Sequence, residues 1–172
     1  MTNVKFLNPF VDAVVDVLKA ECGVEARRGQ LSLQKLALTT DDLTVLISLV
    51  GQVQGVVLYG LSTQTGLDLV SRVMEQPFHE LDSLAQSGVA ELGNVITGRA
   101  TVKLSQAGYE ANISPPTLIV GKGTQVSTLD FTRIVVPLET ELGTLVIHLA
   151  LRESPPGQAR ENFVPVNIAT KA

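Results

Sequence analysis

The sequence predicts one α+β domain, in which a mostly antiparallel sheet built of two similar halves packs against a layer of helices that includes one long helix. Three observations carry this expectation. The hydrophobic period is helical near the start, strand-like from residue 31, helical again from residue 62 and strand-like once more after residue 110. The stretches "GQVQGVVLYGLS" (51–62) and "LGTLVIHLALRE" (142–153) echo each other, each setting glycine before an apolar strand. Finally, 172 residues with 45% hydrophobic and 17% charged side chains suit a globular chain with a single core.

Taken in order, "NPFVDAVVDVLKAECG" (8–23) reads as a first helix, with Asn8 as its cap, Pro9 at the first helical position and Gly23 as its stop. Phe10, Val14, Val17 and Leu18 recur at helical spacing and are expected to face the core. "LSLQKLALTT", "LTVLISLV" and "GVVLYGLS", separated by Asp41-Asp42 and "GQVQG", read as two or three antiparallel strands. "STQTGLDLVSRVMEQP" (62–77) is a helix capped by Ser62 or Thr63 and ended before Pro77. A longer helix follows from Asp82 to about Ala107, closed by Gly108. "EANISPPTLIVGKG", "DFTRIVVPLET" and "GTLVIHLALRE" return to strand character. The domain is expected to span 1–152, and 153–172 to form an extended or disordered tail.

Composition removes several function classes. A net charge of −4, with Arg27-Arg28 as the only adjacent basic pair, leaves no electrostatic footprint for nucleic acid. The single cysteine, Cys22, excludes an internal disulfide or a cysteine zinc cluster and reads as a small buried apolar residue. No apolar run approaches the roughly 18 residues needed to cross a bilayer, and the N-terminus lacks a signal-peptide pattern, so a cytoplasmic protein without membrane contact is expected. "GKGT" (121–124) reads as a turn, because Pro116 occupies the position where a phosphate loop requires glycine. His79 and His148 have no third ligand at motif spacing, so no metal is expected; His148 reads as a strand residue. "GLST" lacks the second glycine of a nucleophile elbow.

One stretch of the long helix resists a purely structural reading. "SGVAELGNVITGRA" (87–100) carries Gly88, Gly93 and Gly98, each costing roughly 0.5 to 1 kcal/mol relative to alanine inside a helix. At about 100° per residue, Ser87, Glu91, Asn94 and Gly98 fall on one stripe, while Ala85, Val89, Leu92 and Ile96 take the opposite side and bury it against the sheet. The stripe is expected to face solvent. Gly98 removes a side chain where another surface can dock closely; Gly88 and Gly93 point elsewhere and serve packing.

These residues resemble the Ser/Asp-x-x-x-Glu-x-x-Asn helix of the CheC/CheX/FliY phosphatases, which remove phosphate from the chemotaxis response regulator CheY. The first helix, the glycine-bracketed strand "GQVQGVVLYGLS", the segment "NISPPTLIVGKG" and the closing strand "LGTLVIHLAL" are similar to the family's segments in the same order, over roughly residues 4 to 152. The Glu-x-x-Asn pattern occurs once, at Glu91 and Asn94, which is the single-site pattern of the CheX branch. Two positions depart from the family pattern: Pro115-Pro116 lies about one residue off the family's proline, and Gly66 stands where alanine is expected.

The resemblance implies a phosphoaspartate phosphatase acting on a phosphorylated CheY-like response regulator. It implies that Asn94 orients the attacking water and Glu91 engages the regulator's lysine, with Ser87 and Gly98 flanking them on the contact face. It also implies that this chain binds no cofactor, Mg²⁺ being held by the regulator, and that the protein forms a homodimer through sheet edges. The residues alone leave a second reading open, a non-catalytic CheX-like module that docks a response regulator or another signalling partner.

Overall fold

The computed structural model describes residues 4–128, 131–155 and 167–169. A 3₁₀ turn at Val4–Phe6 runs into α1 (Leu7–Val17), which widens into a π-type turn over Leu18–Cys22 and stops at Gly23, φ +66°. The Gly23 N–H bonds to the Lys19 carbonyl, closing the helix as the sequence expects. The start differs. Phe6, not Asn8, holds the cap position and no side chain caps the helix. The 3₁₀ turn delivers helical backbone early, and burial of Phe6 and Leu7 fixes the start in place of a polar cap. Pro9 then lies at the third helical position, where its missing N–H is still among those with no intrahelical partner.

Three short strands follow, β1 (Arg27–Arg28), β2 (Ser32–Gln34) and β3 (Leu38–Thr39), then the long hairpin of β4 (Leu43–Gly51) and β5 (Val53–Leu61). Helices α2 (Thr63–Val73) and α3 (Ser83–Gln106) come next. After them run β6 (Ala111–Ile113), β7 (Thr117–Val120), β8 (Gln125–Ser127), β9 (Arg133–Thr140), β10 (Gly143–Glu153) and β11 (Asn167–Ala169).

The main sheet has the order β1-β9-β10-β5-β4-β6, with β2 also on β9 and β7 also on β4, and every pairing is antiparallel. The two echoing stretches are its central pair, β5 with β10, in register from Gly60↔Val146 to Val53↔Glu153. The hairpins β4-β5 and β9-β10 are therefore the two expected halves, joined at the middle of the sheet.

Period-2 alternation sends Val45, Ile47 and Leu49, Val57 and Tyr59, Ile134 and Val136, and Leu145 and Ile147 into one core with α1, α2 and α3. The opposite face carries a second, smaller apolar cluster of Leu46, Val56, Leu58 and Ala150, covered by Leu38, Val126 and Phe131 from the small sheet β11-β8-β3 and its neighbouring loop. This cover explains why "LSLQKLALTT" is not one strand. The chain leaves the main sheet after Gln34, exposes Leu36, and joins the small sheet at Leu38. Pro115-Pro116 likewise separates β6 from β7, both paired to β4, because proline has no N–H to donate to the ladder.

Arg133 and His148 are among the polar side chains buried on this second face. Arg133 is 1% exposed, and its Nη2 donates to Gln34 Oε1 at 3.3 Å. Among the described residues, Arg133 Nε and His148 Nδ1 meet no hydrogen-bond partner. Burial, and secondarily the Arg133 charge, pushes the His148 imidazole down to about 4, so it is neutral at pH 7. The tail expected from 153 onward begins inside the end of β10; Asn167–Ala169 forms β11 against β8, and 156–166 and 170–172 lie outside the described residues.

Candidate functional site on the long helix

α3 starts where the sequence places it, Asp82 Oδ1 accepting from the Ala85 N–H at 2.7 Å, and ends before Gly108, φ +89°. Its inner face is close-packed. Ala85, Val89, Leu92 and Ile96 are buried as expected. A Cβ on Gly88 would come within 2.8 Å of Val70 Cγ1 in α2, and one on Gly93 within 2.7 Å of Val45 Cγ1 in β4. These two glycines let the helix lie close to α2 and to the sheet. Gly66 does the same for α2, where a Cβ would approach Leu43 Cδ1 to 2.6 Å, which accounts for glycine at that position.

Polar contacts fix the rotation of the helix. Thr97 Oγ1 donates to the Gly93 carbonyl at 2.8 Å and accepts from the Tyr59 hydroxyl at 2.8 Å, a buried link from sheet to helix one turn beyond Glu91 and Asn94. Burial pushes the Tyr59 hydroxyl above its ordinary range, opposed by the Thr97 hydrogen bond, so it stays a donor. Lys103 Nζ pairs with Asp16 of α1 at 2.8 Å. With the inner face held by packing and these bonds, the outer face has a defined direction.

On that outer face Ser87 and Glu91 are exposed, and Asn94 and Gly98 are half-buried. The structure brings all four onto one side of the helix. Asn94 Nδ2 approaches Glu91 Oε2 at 3.5 Å, a long contact that leaves both groups open to other partners. Glu91 is in none of the ion pairs among the described residues. A Cβ on Gly98 would meet nothing within 4 Å, so this glycine answers no packing need inside the molecule. The pair can offer a carboxylate and a neutral amide together to one pocket of another molecule, since side chains at i and i+3 project side by side.

The sequence reading missed what flanks the pair. Leu84, Val95 and Val102 are 49%, 39% and 52% exposed, on the side of α3 read as polar. Measured around the helix they lie within about 40° of Glu91. The signal was available in their spacing of seven and eleven residues, but it coincides with the polar stripe and was absorbed into it. Among the described residues no three His, Cys, Asp or Glu side chains gather into a metal-holding group. No described helix is long and apolar enough to cross a membrane.

The sequence profile described as "Chemotaxis phosphatase CheX" matches residues 43–139, from the start of β4 into β9. This chain belongs to the CheX family. The CheY-P phosphatase CheX of Thermotoga maritima is 28% identical over 125 residues, which cover 72% of this chain and 81% of that protein. A CheC-like superfamily protein from Shewanella sp. PV-4 is 30% identical, with a TM-score of 0.79 over 87% of this chain and 99% of that one. The CheX of a CheX–CheY–BeF₃–Mg²⁺ complex from Borrelia burgdorferi shares the fold, with a TM-score of 0.67, 24% identity, and 88% and 100% of the two chains covered. The CheX-family match spans α3 whole, so Ser87, Glu91, Asn94 and Gly98 all lie inside it.

Proposed function

We propose that this chain accelerates hydrolysis of the phosphoaspartate of a CheY-like response regulator, with Asn94 orienting the attacking water and Glu91 engaging the regulator's active-site lysine. The observation that carries this reading is the Glu91–Asn94 pair, side by side on the free face of a helix whose rotation is fixed from behind by Tyr59, Thr97 and the packed glycines. Family membership supports it, as do the activity named for the Thermotoga relative and the partner held in the Borrelia complex.

The chemistry asks little more of the chain. An acyl phosphate held by the regulator's own Mg²⁺ needs a water placed in line with phosphorus. An amide oxygen can accept from that water while its NH₂ donates to a phosphoryl oxygen, and its neutrality adds no repulsion to the anionic centre. Glu91, a carboxylate one turn away, suits a cationic lysine. Ser87 and Gly98 flank the pair, small on one side and without a side chain on the other, so the partner's surface can close over the helix. The same reading carries a homodimer through an edge of the main sheet, to be checked by sedimentation of the purified protein.

The test is single-turnover decay of a phosphorylated CheY-like regulator. Asn94→Ala is expected to lower the rate at least a hundredfold while leaving binding in place, and Glu91→Ala to weaken both. Unchanged acceleration by both variants would refute the assignment. Binding by the unaltered protein without faster decay would select the non-catalytic docking module.

A further inference from the structure

All the large apolar side chains that α3 leaves exposed lie on the side that carries the Glu/Asn pair. Leu84 and Val102 fall about 20° from Glu91 and Val95 about 40°, on the 100° step of the helix. Together they form a line about 27 Å long at 1.5 Å per residue, with Glu91 and Asn94 near its middle and the empty position of Gly98 between Val95 and Val102. Nothing among the described residues calls for it. Valine is a weaker helix former than lysine or glutamate, so two exposed valines do not serve the helix itself. Beyond Leu84 the line runs into a surface hollow of about 420 Å³, which Leu84 lines together with Pro77, Phe78 and His79.

We propose that Leu84, Val95 and Val102 form the docking ridge for the response regulator's receiver domain, seating apolar side chains that rim its phosphorylation pocket and so holding that pocket over Glu91 and Asn94. This rests on the reading of the pair given above. A ridge some 27 Å long matches a standard recognition patch of about 800 Å² per partner, which is on the order of 30 Å across. The occupant is the regulator, not a second copy of this chain, because the ridge runs through the Glu91–Asn94 pair, and on the reading above the regulator's lysine supplies the cation that Glu91 requires once it is covered. Val95 and Val102 set affinity through area removed from water, while Asn94 acts at the reacting centre. The two roles separate into KM and kcat.

The experiment measures dephosphorylation at increasing concentrations of a phosphorylated CheY-like regulator, together with direct binding of the same regulator loaded with beryllofluoride. Val95→Glu and Val102→Glu are each expected to raise KM and the beryllofluoride-regulator Kd about tenfold, with kcat within twofold of the unaltered protein. Val102→Ile should keep both near their original values. Thermal melts guard against misfolding, and because both valines face water the melts should move little. Unchanged KM and Kd in the glutamate variants would overturn the ridge. So would a fall in oligomer mass with KM unmoved, which would assign the surface to a second copy. The binding arm keeps the outcomes apart: if Asn94→Ala leaves hydrolysis untouched, the catalytic assignment falls, and the valine variants still report whether the regulator docks here.

Discussion

The two faces of α3 use the same residue for opposite ends. On the inner face Gly93 stands where Val45 leaves no room for a methyl group; on the outer face Gly98 stands where a methyl group would touch nothing. The first glycine is explained by the packing of this molecule; the second is not, and the proposed approach of a regulator would supply its reason. The same test sorts the apolar residues. Val89 and Ile96 complete a core, whereas Val95 and Val102 complete no cluster among the described residues. Asking what a side chain, present or added, would meet separates folding from recognition on one helix more sharply than its hydrophobic pattern does.

The strongest way to break this comparison is Gly93→Leu. The added side chain must push α3 away from β4 and the Tyr59–Thr97 link, and overpacking of this kind is expected to cost about 3 kcal/mol or more. Urea denaturation should show it, and the displaced pair should lose activity at temperatures where the protein is still folded. A wild-type midpoint would mean that the seam is looser than the contacts imply.

The next effect extends the contrast to polar groups, exposed on α3 but buried on the far face of the sheet. His148 is held down to about 4 when folded and titrates near its ordinary 6.5 when unfolded, so the unfolded chain binds the proton first. Its contribution is therefore in place above about pH 6.5 and is lost as the pH falls, levelling off below about 4. The loss should reach about 2 kcal/mol by pH 5. Denaturation midpoints between pH 7.5 and 4.5 measure it, and His148→Leu should flatten that limb.

The smallest effect has the opposite sign. Gly98→Ala should stabilise the fold by about 0.5 to 1 kcal/mol, because the position is open and alanine is the better helix former. If the regulator comes close there, KM for the phosphorylated regulator should rise a few-fold in the same variant. A more stable protein with unchanged KM would leave the outer glycine without a role.

The sequence displayed the elements that speak through period and punctuation. Asp82 and Gly108 bracketed α3, Ser62 capped α2, and the echo around residues 55 and 145 proved to be the central strand pair. What it concealed was decided by tertiary contacts. Phe6 overrode Asn8 because burying an aromatic ring outweighs one capping bond. The small sheet β11-β8-β3 uses strands of two or three residues, too short to carry a period, so residues 31–40 read as one strand. Arg133 gave no sign of burial, since a charged residue before "IVVPL" reads as a strand's wet end. At the site, the i, i+3 spacing of Glu91 and Asn94 placed both residues correctly on the free face, while Leu84, Val95 and Val102 were hidden by the polar stripe they accompany.

The middle of the main sheet is a pairing of β5 with β10, strands from opposite halves of the chain. A ribosome releases α1, the β4-β5 hairpin, α2 and α3 long before it releases β10, so β5 spends that interval with one edge unpaired. Closure of the sheet waits for the last ordered strand of the main body, and such long-range pairing is intrinsically slow. A nonsense mutation or protease cut within residues 143–153 would therefore do more than trim an end. It would remove the strand that joins β9, and with it β1 and β2, to the rest of the sheet, and would leave α3 mounted on half a scaffold with a sticky edge.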